Sequence, residues 1–179
     1  MKIPAKCPHR RSGKNWIPEF RREPDALPCC RTSDYSITPF LPKRGPLCEN
    51  TKHTLEEYRF TWRSSFNGNA VVQIGRGGEK NVIILDWVCR GSCGNGRFWR
   101  SIDKAGWNRL EAALLGAGFW ALEPYKTQFG LDGATWTIEG RRRDVYRVVE
   151  RWSPRGAIYD LGRTFFDLAG PPIADIGLY

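Results

Sequence analysis

Four residues in this chain have the type and setting to do chemistry. Asp132 and Glu139 lie within the run GLDGATWTIEG, Arg151 lies in VVERWSP, and Asp86 interrupts the apolar run VIILDWV. Two acids close together suggest the acid/base pair of a glycoside hydrolase, whose carboxyl groups lie roughly 5–10 Å apart. Seven positions separate Asp132 from Glu139, roughly 20 Å if extended at about 3.3 Å per residue. Asp132-Gly133 has the composition of a turn, since glycine accepts positive φ and aspartate bonds its own backbone. Trp136 and Ile138 then alternate with Thr135, Thr137 and Glu139, which is a strand whose polar set faces away from the tryptophan. A turn followed by a strand accounts for every residue of the run, so scaffold is the favoured reading. Arg151 or its neighbour Arg147 would pair with Glu139 across the following hairpin, an ordinary cross-strand contact. Asp86 is either a buried acid satisfied by an arginine or an acid of raised pKa lining a pocket.

Several chemistries are excluded by what is missing. The two histidines, His9 and His53, precede the regular part of the sequence, so residues 54–179 cannot build a Ser-His-Asp, Cys-His or HExxH centre alone. The six cysteines (Cys7, Cys29, Cys30, Cys48, Cys89 and Cys93) match no zinc-ribbon spacing. Their number suits disulfides or free thiols according to compartment. GRGGEKN and GSCGNG carry no GK[ST] and join strand to strand, whereas a phosphate cradle needs a helix N-terminus behind it. No cofactor and no metal are expected.

The positioning elements follow from periodicity. In EEYRFTWRSSF, Tyr58, Phe60 and Trp62 alternate with Arg59, Thr61 and Arg63: a strand with an aromatic face and a basic, wet face. NAVVQI and VIILDWVC continue as strands, and RFWRSI as a shorter strand or hairpin return. KAGWNRLEAALLG repeats Trp107, Leu110 and Leu114 at helical spacing behind Asp103, a candidate N-cap, with Gly116 and Gly118 as the stop. ATWTIEG and DVYRVVERW form two more strands. AIYDLGRTFFDLAG places Ile158, Leu161, Phe165 and Leu168 on one helical face and stops at Gly170 before two prolines. The expected fold is α+β: an antiparallel sheet of about five strands with two helices packed on one face.

Residues 1–53 hold eight of the 12 prolines and carry 11 basic against 5 acidic side chains, most of the net charge of +9. They are expected to form an irregular basic arm, with Trp16 or Phe20 docking locally, ahead of a single domain over 54–179. The N-terminus has no apolar core of a signal peptide, and AALLGAGFWAL is too short to span a bilayer. The expectation is therefore no membrane span, with the cytoplasm as default location.

At GFW, GLDGATWTIEG and YRVVERWSP the sequence resembles a group of uncharacterised bacterial proteins marked by a C-terminal GLDG-x-x-W…E…Y-x-V-V-x-R-W-S-P signature. The resemblance covers roughly Tyr58 to Ala169, and Asp132, Trp136, Glu139, Tyr146, Arg151 and Trp152 are among its matching positions. It implies no particular activity. Members often look exported, which this N-terminus does not.

The reading favours a non-enzymatic domain that binds a protein partner, such as an inhibitor or immunity-type protein, with Asp132, Glu139, Arg151 and Asp86 as binding candidates. Exposed Arg and Trp are good interface anchors. The alternatives are a nucleic-acid-associated protein gripping phosphates through the basic arm, and a carboxylate-dependent hydrolase whose acids converge in one cleft.

Overall fold

The structure, a computed structural model, describes residue 47 and residues 56–77, 80–89, 95–126, 130–142 and 145–171. Six strands form one antiparallel sheet: β1 (Glu56–Ser64), β2 (Gly68–Gly77), β3 (Lys80–Cys89), β4 (Asn95–Ser101), β5 (Ala134–Arg142) and β6 (Val145–Trp152). Their spatial order is β4-β3-β2-β1-β5-β6. The count is six rather than about five because RFWRSI forms a full strand, β4. The basic arm expected over residues 1–53, its aromatic anchors, the cysteine thiols and the tip of the β2–β3 turn lie outside the described residues, apart from Leu47.

Helix α1 (Lys104–Gly116) leaves β4 behind Asp103, whose carboxylate accepts from the Gly106 amide at 2.7 Å. Helix α2 (Ala157–Ala169) ends at Gly170, where φ is +75° and a side chain would be strained. Both helices pack on one face of the sheet, as expected. Register defines that face: Phe60 stands between Val72 of β2 and Ile138 of β5, and Trp62 between Ala70 and Trp136. The Phe60 ring centre lies 5.0 Å from Trp136, 5.4 Å from Phe166 and 5.7 Å from Phe165. Such tilted aromatic contacts add to the stabilisation from burial itself. A Cβ at Gly162 would collide with the Trp136 indole, so this glycine lets α2 sit close to the sheet.

One expectation about β1 is overturned. Its second face was expected to be wet, yet Glu57, Arg59 and Thr61 are as buried as the aromatic set. Side chains of the neighbouring strands meet them there: Glu139 contacts Arg59, and Gln73 and Arg141 contact Glu57. Leu47, ahead of β1 in the sequence, is also fully buried, packing with Tyr146 and Val148.

Candidate functional site

The second face of the sheet is built from alternate residues of β1, β2, β5 and β6, the positions opposite the aromatic set. Glu139, fully buried, is its centre. One carboxylate oxygen accepts from the Tyr146 hydroxyl at 2.8 Å and from the Leu47 amide at 3.2 Å; the other meets the Arg59 guanidinium at 3.3 Å. On one side Gln73 donates to Glu57, which Arg141 approaches at 3.9 Å. On the other, Glu150 accepts from the Thr137 hydroxyl at 3.1 Å and faces Arg63 at 3.5 Å. A buried carboxylate is tolerable only when paired and hydrogen-bonded, and Glu139 meets both conditions.

The pairing of Glu139 with Arg147 or Arg151 is corrected by register. Glu139 lies opposite Val148, so both arginines belong to the other face of β6. Its cationic partner is Arg59, directly across from it on β1. Arg151 instead reaches past the sheet edge, donating to the carbonyls of Glu123 at 2.8 Å and Pro124 at 3.3 Å. Burial pushes its guanidinium down from its ordinary pKa, and the Glu123 charge offsets part of that. Arg151 therefore fastens the segment that runs along β6. Asp86 is described by its backbone alone, which pairs with Val71 on β2 and Arg97 on β4.

Asp132 is elsewhere. It is exposed in the turn ahead of β5, and among the described residues no hydrogen bond or ion pair joins it to Glu139. That turn is tightly fixed. Side chains at Gly130 or Gly133 would strike Trp152 and Ser153, and Gly133 has φ of +153°. The Ser153 amide donates to the Ala134 carbonyl at 2.8 Å, and the Ala134 amide returns a bond to the Ser153 hydroxyl at 3.0 Å. These bonds hold Ser153 at φ +38°, an uncommon conformation for a residue with a side chain. The Ser65 amide ties the β1–β2 turn to the Gly133 carbonyl at 2.9 Å. The Ser64 hydroxyl caps that second turn by accepting from the Phe66 and Asn67 amides, both at 3.1 Å.

Three turns thus meet at one end of the sheet. They display Leu131, 96% exposed, Phe66, 54% exposed, Asp132 and Arg155. An open depression of about 360 Å³ lies beside them, lined by Ser153, Pro154, Arg155, Gly156 and Tyr159. Sequence reading found Asp132 and missed its apolar neighbours. The available signal was a large apolar residue inside an otherwise polar turn, in GLDG and again in SSFNGN.

At the opposite end of the aromatic face, Glu56 gathers Arg76 at 3.0 Å, Arg142 at 2.7 Å and the Tyr58 hydroxyl. The two guanidinium groups lie over Trp107 and Trp120, at 4.7 and 5.8 Å from the ring centres. Burial, then the Glu56 hydrogen bond, pushes the Tyr58 phenol well above its ordinary pKa. The Glu56 hydrogen bond likewise raises Arg142. Every member has a partner within the group, so this cluster is a structural clamp.

Among the described residues no three His, Cys, Asp or Glu side chains gather as a metal site, and no helix is long and apolar enough to cross a membrane. No family model, curated protein or solved structure matches the chain.

Proposed function

We propose that this is a protein-binding domain, of the kind an inhibitor or immunity protein would be, which meets its partner with the three joined turns. The observation that carries this is Leu131, almost wholly exposed on a turn whose two glycines are locked against Trp152 and Ser153. Single exposed apolar residues are ordinary. Here a second, Phe66, is held on a turn bonded to the first, beside a depression and two opposite charges, Asp132 and Arg155. Loops fixed on a rigid scaffold lose little conformational freedom on binding, which favours affinity.

The test is a photo-crosslinking residue at position 131, with the exposed Leu115 of α1 as control position. A specific adduct is expected from 131 alone, competed by excess unlabelled protein and not by a Leu131→Asp, Phe66→Ser variant. Equal adducts from both positions, or competition by the variant, would sink the reading.

The charge of residues 1–53 supports a second reading, nonspecific nucleic-acid binding. It requires that oligonucleotide affinity fall steeply with salt, as counterion release demands, and that removing those residues abolish it.

A further inference from the structure

The depression beside the three turns is lined by Ser153, Pro154, Arg155, Gly156 and Tyr159. Its polar side chains are all placed to donate. The Ser153 oxygen accepts from the Ala134 amide at 3.0 Å, which leaves the hydroxyl hydrogen to be given elsewhere. The Tyr159 ring is set against Trp136, with ring centres 5.6 Å apart, and among the described residues its hydroxyl has no hydrogen-bond partner. Arg155 is exposed, and among the described residues nothing forms an ion pair or hydrogen bond with it. Elsewhere an acid stands by: Arg63 has Glu150, Arg142 has Glu56 and Arg109 has Asp167. No carboxylate lines the depression.

We propose that this depression takes the side-chain carboxylate of an aspartate or glutamate on the protein partner, next to an apolar partner residue that seats against Leu131 and Phe66. This rests on the protein-binding reading above and names the chemistry of the partner. A planar guanidinium matches a carboxylate with two parallel hydrogen bonds. Pro154 and the Tyr159 ring give the methylene stem of the acid an apolar wall. The backbone on either side of Arg155 is set by two residues of positive φ, Ser153 at +38° and Gly156 at +63°, so the arginine starts from a fixed base.

The ligand carries one negative charge rather than two. A single guanidinium lines the depression. Asp132, exposed, stands on the adjoining turn, whose next residue abuts Ser153: a Cβ at Gly133 would strike the Ser153 hydroxyl. A phosphate would meet one cation and a repelling acid. Asp160 in the first turn of α2 already answers the positive end of that helix, so the attraction falls to Arg155. A free small acid is disfavoured for another reason. An exposed ion pair alone contributes little, and the acid would leave Leu131, 96% exposed, and Phe66, 54% exposed, uncovered. On a protein partner the charge selects and the apolar contact beside it supplies affinity.

The experiment is a selection of displayed random peptides on the full chain, with the affinities of the enriched sequences then measured by calorimetry on synthetic peptides. Peptides with an Asp or Glu beside an apolar residue are expected. Arg155→Glu should weaken them at least about tenfold. Exchanging the peptide's acid for lysine should recover binding to Arg155→Glu and lose it to wild type, a reversal that a merely structural arginine would not produce. Circular dichroism verifies the fold of the variant. An empty selection, enriched peptides without an acid, an affinity unmoved by Arg155→Glu, or a lysine exchange that fails to rescue would each overturn the proposal. Tighter binding of inorganic phosphate than of the acidic peptide would do the same. Peptides that need Leu131 and Phe66 but not Arg155 would leave the three turns as a docking surface and remove the carboxylate alone. Peptides that need Arg155 but bind a Leu131→Asp, Phe66→Ser variant as tightly as wild type would remove both.

Discussion

The two faces of the sheet are both buried, but by opposite means. Towards the helices, Tyr58, Phe60, Trp62 and Trp136 interlock with Phe165 and Phe166. Away from them, Glu57, Arg59, Gln73, Thr137 and Glu139 are closed off from water with comparable completeness. The aromatic face is held by volume, so its losses are local and graded. The polar face is held by pairing, so one missing partner strands another charged group. β1 contributes to both: Phe60 at the centre of one, and to the other Arg59, the cationic partner of Glu139 on β5.

The sharpest way to break this comparison is to remove one central residue from each face. Glu139→Ala leaves the buried Arg59 guanidinium without its carboxylate and should cost about 3–5 kcal/mol. Phe60→Ala should cost a similar 3–5 kcal/mol or so by opening a cavity. The two differ in their cure. Replacing Arg59 by Met together with Glu139→Leu should recover a large part of the loss in urea unfolding, because the stranded charge is gone. If the double replacement is no more stable than Glu139→Ala, the polar face is not governed by pairing.

A smaller effect is expected from Gly162→Ala, which pushes a methyl into the Trp136 ring on the volume-governed side. Overpacking there should cost about 1–3 kcal/mol, seen as a lower midpoint of thermal unfolding. Smaller again, Ser153→Ala removes the hydroxyl that accepts from Ala134 while leaving the backbone at φ +38°. The expected loss is about 1 kcal/mol, with faster amide hydrogen exchange at Ala134. An unchanged exchange rate would show that the turn is held by other contacts.

The least effect at neutral pH is reserved for Tyr58, where the two chemistries touch. Its phenol pKa is raised by burial, so the fold favours the neutral form. The resulting stability is present below the unfolded value of about 10 and is lost as pH rises beyond it. Spectrophotometric titration should show one tyrosine ionising later than the exposed ones. The stability advantage of wild type over Tyr58→Phe should shrink above pH about 10. A tyrosine set that titrates together near 10 contradicts this.

Much of the architecture was legible in the sequence because alternation and helical spacing are local signals. Asp103, Gly170 and the face made by Leu161, Phe165 and Leu168 all fall where the sequence places them. What was not legible is which strands are central. Arg59 on a peripheral strand would be wet; between β2 and β5 the same residue is buried. The partner of Glu139 failed for the same reason: hairpin neighbours are visible in sequence, whereas β1 pairs with β5 across the whole meander and α1. Asp132 was recognised as a turn residue, but Leu131 beside it drew no notice, since exposure of an apolar side chain depends on what the rest of the chain leaves uncovered.

The central place of β1 also bears on synthesis. β1 leaves the ribosome before the other strands, and β2, β3 and β4 can add to one of its sides in turn. Its other side must wait until α1 and the GLDG turn have emerged and β5 can form. Through that interval a nascent four-stranded meander shows an open edge with Tyr58, Phe60 and Trp62 uncovered, an adhesive surface of the kind on which chaperones act. The same long-range closure makes this a slow-folding topology for its size. Leu47 has its seat on Glu139, Tyr146 and Val148 only once β6 is in place, so a residue made before β1 is among the last to settle.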